Sequence, residues 1–364
     1  MTALERAWYR DNSWALLLAP LTLLFRALAY ARRQVLQARH QGQPFAAPVI
    51  VVGNIAVGGA GKTPLIIALA RQLQAAGFRP GIVSRGYGGA EVAEPLQLNS
   101  EHSPGQVGDE PRLIADSTAC PVVVCPDRVR AVAHLLQHND CNVVLSDDGL
   151  QHYRLHRDIE IAVVDGERGV GNGWCLPAGP LRESPARLRE VDMVVVNGAG
   201  YQPQGDFFTM DLVATGLRHL ATGNTIFPQA REETWQQTKQ VHAVAGIANP
   251  QRFQRSLEDL GFTVTLHSFP DHHIFSAADL GFADDAPVII TAKDAVKCYD
   301  FNSGDFNNNV GNNFNHDNIW VLDVEAQLPD LAWQQLIAAL SGLSVNQTDT
   351  HATALTPPSK PHGD

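Results

Sequence analysis

The sequence predicts an α/β protein: a mostly parallel sheet covered by helices, followed by a second, smaller α/β unit. Three observations predict it. Runs rich in Val and Ile recur between segments of helical periodicity, near residues 49–52, 81–84, 120–125, 142–145, 159–164 and 193–196, the alternation that builds a parallel sheet covered on both faces. The first run opens directly into a glycine-rich turn and then a helix. Beyond about Gly200 the pattern restarts, with strands at 241–245, 262–266 and 288–291 and a helix at 252–260. At 364 residues the chain can bury a large core and divides more naturally into two domains than one.

Composition narrows the function. A net charge of −11 argues against general nucleic-acid binding, which needs a basic surface to neutralise phosphates. The five cysteines are odd in number and lack Cys-x-x-Cys spacing, the usage of a reducing compartment without structural zinc. Cys120 and Cys125 bracket an apolar strand and are expected to be buried.

Residues 1–45 form an apolar and basic helical segment. Arg6, Arg10, Arg26, Arg32, Arg33 and Arg39 stand there against Glu5 and Asp11. The run Trp14 to Phe25 is apolar except for Thr22, and is itself shorter than the roughly 20 residues that cross a bilayer. It reads as an interfacial helix whose flanking arginines meet anionic headgroups, or as an amphipathic helix buried on the next domain. A cleaved signal peptide ending at Ala27-Leu28-Ala29 is a third reading, opposed by Glu5, Asp11 and Arg26.

Residues 46–200 carry the stretch on which the function turns, PVIVVGNIAVGGAGKTP from Pro48 to Pro64. Strand, glycine-rich loop, Gly-Lys-Thr and helix in that order is the phosphate-binding context. Gly58, Gly59, Ala60 and Gly61 let backbone amides curl around an anion, and the helix behind adds its positive end. Lys62 then reaches the β- and γ-phosphates of a nucleoside triphosphate, and the Thr63 hydroxyl a magnesium ion. The usual pattern has a glycine where this chain has Ala56.

Further along, Ser84-Arg85-Gly86-Tyr87-Gly88-Gly89 follows the second strand, at the strand end where open α/β sheets bind ligands. Gly108-Asp109-Glu110-Pro111 is a good helix start. The strand at 142–145 runs into Asp147 and Asp148, the way phosphate-loop proteins present carboxylates to magnesium; two adjacent acids also suit a turn. A loop follows with Pro180-Leu181-Arg182-Glu183.

The second unit spans 201–325. Ser276 and Asp279 form a helix-start capping pattern, with His272 and His273 in the loop before it. Residues 300–318 are asparagine-rich and aperiodic, read as a surface insertion. A last strand is expected at 319–324 and a C-terminal helix within 326–343, and the tail 344–364 is expected to be disordered.

Taken together, the motifs resemble the tetraacyldisaccharide 4′-kinase family of lipid A synthesis. They are Val52-Gly53-Asn54 with Gly58 to Pro64, Ser84 to Gly88, Gly108 to Pro111, Asp147 to His152, Pro180 to Glu183, Asp271-His272-His273 and Thr291-Ala292-Lys293-Asp294-Ala295-Val296-Lys297. They cover about residues 50 to 300 in the family's order. The resemblance implies transfer of the γ-phosphate of ATP to the 4′-hydroxyl of a tetraacylated glucosamine disaccharide 1-phosphate, with Mg²⁺, at the cytoplasmic face of the bacterial inner membrane. It implies a membrane-associating N-terminal helix, Asp109 as the base supported by His272 once the domains close, and Arg182 and Glu183 in the active site. Two rivals differ in class. A nucleotide switch is disfavoured because Thr291-Ala292-Lys293-Asp294 places its lysine one position late for base reading. A soluble small-molecule kinase is opposed only by the N-terminal apolar segment.

Overall fold

The computed structural model describes residues 3–10, 13–39, 44–90, 92–227, 239–298 and 318–353. The first sheet contains β1 (Val49–Gly53), β2 (Pro80–Ser84), β3 (Leu96–Gln97), β4 (Val122–Val124), β5 (Val143–Asp147), β6 (Ile159–Asp165) and β7 (Met193–Asn197). Its order is β3-β4-β2-β5-β1-β6-β7, parallel except for β3. Both faces are covered, so the strands read as continuous apolar runs. Ile50 and Val52 face the helix Lys62–Ala75 with Leu65, Ile66 and Leu69, while Val49 and Val51 pack on the other side with Leu135, Leu150 and Val164.

Register decides where the functional ends fall. Val52 pairs with Asp147 across β1 and β5, and Val83 pairs with Ser146 across β2 and β5. The phosphate-type loop after β1, Ser84 at the end of β2 and the acidic pair at the end of β5 are thereby brought together at the carboxyl-terminal end of the parallel strands.

The second sheet contains β8 (Phe208–His219), β9 (Thr225–Ile226), β10 (Gln240–Ala245), β11 (Thr263–Ser268), β12 (Val288–Thr291) and β13 (Ile319–Gln327), in the order β11-β10-β12-β13-β8, with β9 beside β8. Strand β8, not expected from the sequence, joins the two halves. It pairs in parallel with β7 through Phe208 to Met210, and antiparallel with β13 from Asp211 to His219. Its side chains are mostly half-buried or exposed and it holds Gly216, so it shows no apolar run.

The C-terminal helix is Asp330–Thr353, and of the tail expected from residue 344 the residues 354–364 lie outside the described residues. It does not stand apart, because Leu336 and Leu340 enter the same core as Ile50, Leu65 and Leu69. The expected asparagine-rich insertion lies outside the described residues apart from Asn318.

At the N-terminus a short helix, Ala3–Trp8, and a turn, Trp14–Leu18, lead into the helix Ala19–Arg39. Its attachment is narrow. Trp8 Nε1 donates to Pro177 O (3.0 Å), and the buried Thr22 hydroxyl donates to Cys175 O (3.1 Å) and accepts from Ala178 N (3.0 Å). Thr22, the one polar break in the apolar run, is thus the docking side. Leu17 (82% exposed), Leu21, Leu23, Leu24 and Leu28 face outward, which overturns the buried-helix reading. The run itself is short, yet the continuous stretch Trp14–Ala38 is long and apolar enough to cross a membrane by length and composition.

Candidate active site

The loop after β1 is shaped by glycines where the backbone requires them. Gly58 (φ 99°) and Gly61 (φ 96°) lie in the left-handed region. A Cβ on Gly61 would also meet Asn197 Nδ2 at 2.3 Å, and that amide donates to Ala60 O at 3.0 Å. Ala56 is not among the positive-φ residues and instead bridges Leu181, so no glycine is needed there. The loop carrying Arg182 braces this turn: Val57 N donates to Pro180 O (2.9 Å) and Arg182 N to Ile55 O (2.7 Å). Lys62 opens the following helix, and its Nζ donates to Asn54 Oδ1 at 3.4 Å. Lys62 and Thr63 therefore stand in the first turn of the helix, at its positive end.

The two acids at the end of β5 have different surroundings. Asp147 is buried; its Oδ2 accepts from Ser84 Oγ (2.9 Å), and its carbonyl accepts from the buried Arg128 (2.9 Å). Its Oδ1 is buried and accepts no hydrogen bond. Burial, with the charges of Glu110 and Asp148 behind it, pushes this carboxyl up to about 6. Burial acts on Asp148 in the same sense, but Lys62 (Nζ–Oδ1 3.3 Å) and Arg182 (Nη1–Oδ2 3.1 Å) hold it below the usual carboxylate range.

An oxygen donor set of Asp147, Asp148 and the Thr63 hydroxyl suits a hard cation such as Mg²⁺, and the unmet buried oxygen of Asp147 is the place such an ion would satisfy. Among the described residues no group of three or more His, Cys, Asp or Glu is arranged to hold a metal alone.

Asp109 and His272, separated by 163 residues, meet across the two sheets. Asp109 is buried at the start of the helix Asp109–Ser117, behind Gly108 (φ 92°). Its Oδ1 accepts from Glu110 N (3.0 Å), and its Oδ2 faces His272 Nδ1 at 3.0 Å. Lys293 Nζ and Lys297 Nζ stand 3.8 and 3.9 Å from the same oxygen. Burial alone would raise Asp109, but the hydrogen bond from His272 and the two lysines win and hold it low; that bond raises His272 against the opposing effect of burial. The pairing expected on domain closure is thus already made. Among the described non-glycine residues only Asp148 (φ 47°) and His272 (φ 62°) take positive φ, so backbone strain concentrates at this site.

Glu183 does not join Lys62. Its Oε1 accepts from Gln151 Nε2 (2.7 Å), its Oε2 accepts from the Tyr153 hydroxyl, and Arg187 lies 3.8 Å away. Gln151 also donates to Asn54 O (3.1 Å), which links Glu183 to the phosphate-type loop at second hand. Sequence reasoning assigned no role to Asn54, Ser84, Glu110 or Lys293. The available signal for Lys293 was the Lys293/Lys297 spacing, which puts two cations on one helical face.

Comparison with known proteins bears on this arrangement. The family model described as tetraacyldisaccharide-1-P 4′-kinase (LpxK) matches residues 14–341. The chain is 45% identical over 349 residues to the tetraacyldisaccharide 4′-kinase of Nitrosococcus oceani, covering 96% of this chain and 97% of that one. With the protein of the same name from Hahella chejuensis the identity is 43% over 351 residues, covering 95% and 98%. Among solved structures, LpxK from Aquifex aeolicus, crystallised in complex with ATP, superposes with a TM-score of 0.72 at 25% identity, covering 90% of this chain and 99% of that one.

Proposed function

The chain belongs to the tetraacyldisaccharide 4′-kinase family, and from that premise we infer that it phosphorylates tetraacyldisaccharide 1-phosphate at the 4′ position with ATP, in lipid A biosynthesis. The observation that carries the reading is the convergence of a phosphate-type loop and an acidic pair at the carboxyl ends of neighbouring strands, with the Asp109–His272 pair beside Glu110, whose charge acts on Asp147.

We propose these roles. The amides of the Gly58 to Gly61 turn and Lys62 hold the β- and γ-phosphates and balance the charge that spreads over the transferring group. Asp147, Asp148 and Thr63 would hold Mg²⁺, which when bound neutralises phosphate charge. Arg182 restrains Asp148 and adds positive charge beside Lys62. Glu183 acts through Gln151 to fix the loop rather than on the phosphates. Asp109 accepts the proton of the sugar hydroxyl on a lone pair left over from its bonds to His272 and Glu110 N. Its lowered pKa makes it a weak base. That suits a loose phosphoryl-transfer transition state, which needs positioning and charge balance more than early proton removal. His272 orients the carboxylate and stabilises its charge.

The exposed leucines of the N-terminal helix support membrane attachment, which for an acylated substrate sets the enzyme at the cytoplasmic face of the inner membrane. The test is a radiolabelled-ATP assay with the disaccharide 1-phosphate lipid in mixed micelles. Lys62→Ala is expected to lose about 10² to 10³ in rate. Near wild-type turnover in that variant would remove the loop from the mechanism.

A further inference from the structure

We propose that Lys293 is a positioning residue for phosphoryl transfer: it fastens the second domain over Asp109 and keeps the Asp109 carboxylate ionised beside His272. The proposal rests on the reading of Asp109 as the base. Lys293 lies in the short helix Ala292–Ala295, and its ammonium reaches Glu110 Oε1 at 2.9 Å, Asp271 Oδ1 at 3.3 Å and Asp109 Oδ2 at 3.8 Å. Glu110 and Asp109 belong to the first domain, and Asp271 to the loop that carries His272. One cation therefore ties together the base, its neighbour in sequence and the histidine loop.

The segment beneath Lys293 is held firmly. Asp294, fully buried, accepts from Gly246 N (3.1 Å) and Thr291 Oγ1 (2.6 Å), and its other oxygen pairs with Lys297 at 2.7 Å. Lys297 thereby makes its close pair with Asp294 and stands 3.9 Å from Asp109, whereas the close pair of Lys293, at 2.9 Å, is with Glu110 across the two domains. Burial disfavours the charged amine, yet the three acids around it raise its pKa and keep it protonated. The charged groups facing Asp109 are His272, Lys293 and Lys297, with Glu110 and Asp271 bound through Lys293. Without Lys293, Glu110, Asp271 and Asp109 would confront one another with one cation fewer, which favours a proton on Asp109 and loosens the hold on the His272 loop.

The experiment is the pH profile of kcat/KM for wild type, Lys293→Met and Lys293→Arg, with an NMR titration of the His272 ring in each. Removing a nearby cation makes protonation easier at both partners. In Lys293→Met the acid limb of the profile and the His272 titration should both move to higher pH, by about one unit. Activity at neutral pH should fall about tenfold or more as the base loses its placement. Lys293→Arg keeps the charge and should keep the wild-type profile. A Lys293→Met profile and His272 titration that superimpose on wild type would overturn the proposal, as would Lys293→Arg behaving like Lys293→Met. If Lys293→Met does not fold, Lys293→Gln retains a donor for Glu110, lacks the charge and makes the same prediction. The base assignment has its own readout: Asp109→Asn with near wild-type turnover sinks that reading, whereas an inactive Asp109→Asn beside an unshifted Lys293→Met sinks the lysine alone.

Discussion

Asp109 serves two demands that one substitution separates. Its Oδ1 accepts the Glu110 amide at the start of a helix, and asparagine would do this as well. Its Oδ2 meets His272, and only a carboxylate can then take a proton. Asp109→Asn is therefore expected to keep the fold and lose roughly 10² to 10⁴ in turnover. Adding His272→Ala should cost little more, because residues acting as a unit are non-additive; additive losses in steady-state kinetics would show that the histidine works elsewhere. The pair also has a signature in stability. Asp109, held low, contributes above its unfolded pKa of about 3.9 and loses that as pH falls through its lower folded value. His272, raised, contributes fully below about 6.5 and loses that as pH rises through its higher folded value. The Tm gap between wild type and His272→Ala should thus be widest between about pH 4 and 6.5. The residues were plain in sequence but their roles were not, since two loop histidines are unremarkable alone and an acid at a helix start reads first as a cap. Their meeting was supplied by resemblance, because nothing local in either segment encodes a contact across 163 residues.

Among the elements, the phosphate-type loop was the most readable, because strand, glycines and helix follow one another within a few turns of chain. The one departure, Ala56, is explained by its bridge to Leu181 without positive φ, whereas Gly61 has both a left-handed backbone and Asn197 against it. Gly61→Ala is accordingly expected to weaken ATP binding at least about tenfold, as strain and the displaced Asn197 deform the turn. Ala56→Gly should leave ATP affinity within about twofold and cost no more than about 1 kcal/mol of stability. Isothermal titration of both variants checks the contrast. The N-terminal helix was legible in composition but not in placement. Its apolar run alone did not tell a core from a bilayer, and the discriminating residue is Thr22, whose hydroxyl is spoken for on both sides. Thr22→Val should cost about 1–3 kcal/mol by stranding Cys175 O and Ala178 N, with vesicle affinity unchanged. Leu17→Ser, Leu21→Ser and Leu24→Ser together should do the reverse and release the protein from anionic vesicles while its Tm holds. Vesicle affinity that survives the triple substitution would show that these leucines do not make the attachment.

For the whole molecule, the order of elements along the chain conceals how the two halves are joined. Strand β8 escaped the sequence because a half-exposed strand needs only weak alternation, yet it belongs to both sheets and carries the second domain out from β7. The chain then comes back. After β13 the C-terminal helix lays Leu336 (2% exposed) and Leu340 (0%) against the core that holds the phosphate-loop helix through Leu65 and Leu69. The sequence located that helix within 326–343 but not its docking, since nothing local names the surface that receives it. Its packing makes a prediction about the far end of the molecule. Leu336→Ala and Leu340→Ala should each cost about 2–5 kcal/mol, the range for opening a cavity in a close-packed core. The loss should appear as unfolding of the nucleotide-binding half together with the end of β13, because the vacated space belongs to the core that holds Leu65, Leu69 and Ala326. Hydrogen exchange resolves the location. Protection should fall in the helix Lys62–Ala75 and in β1, and bound ATP should restore part of it by mass action. Were the C-terminal helix an independent cap on the second domain, exchange would instead rise in β10 and β12 with the phosphate-loop helix untouched.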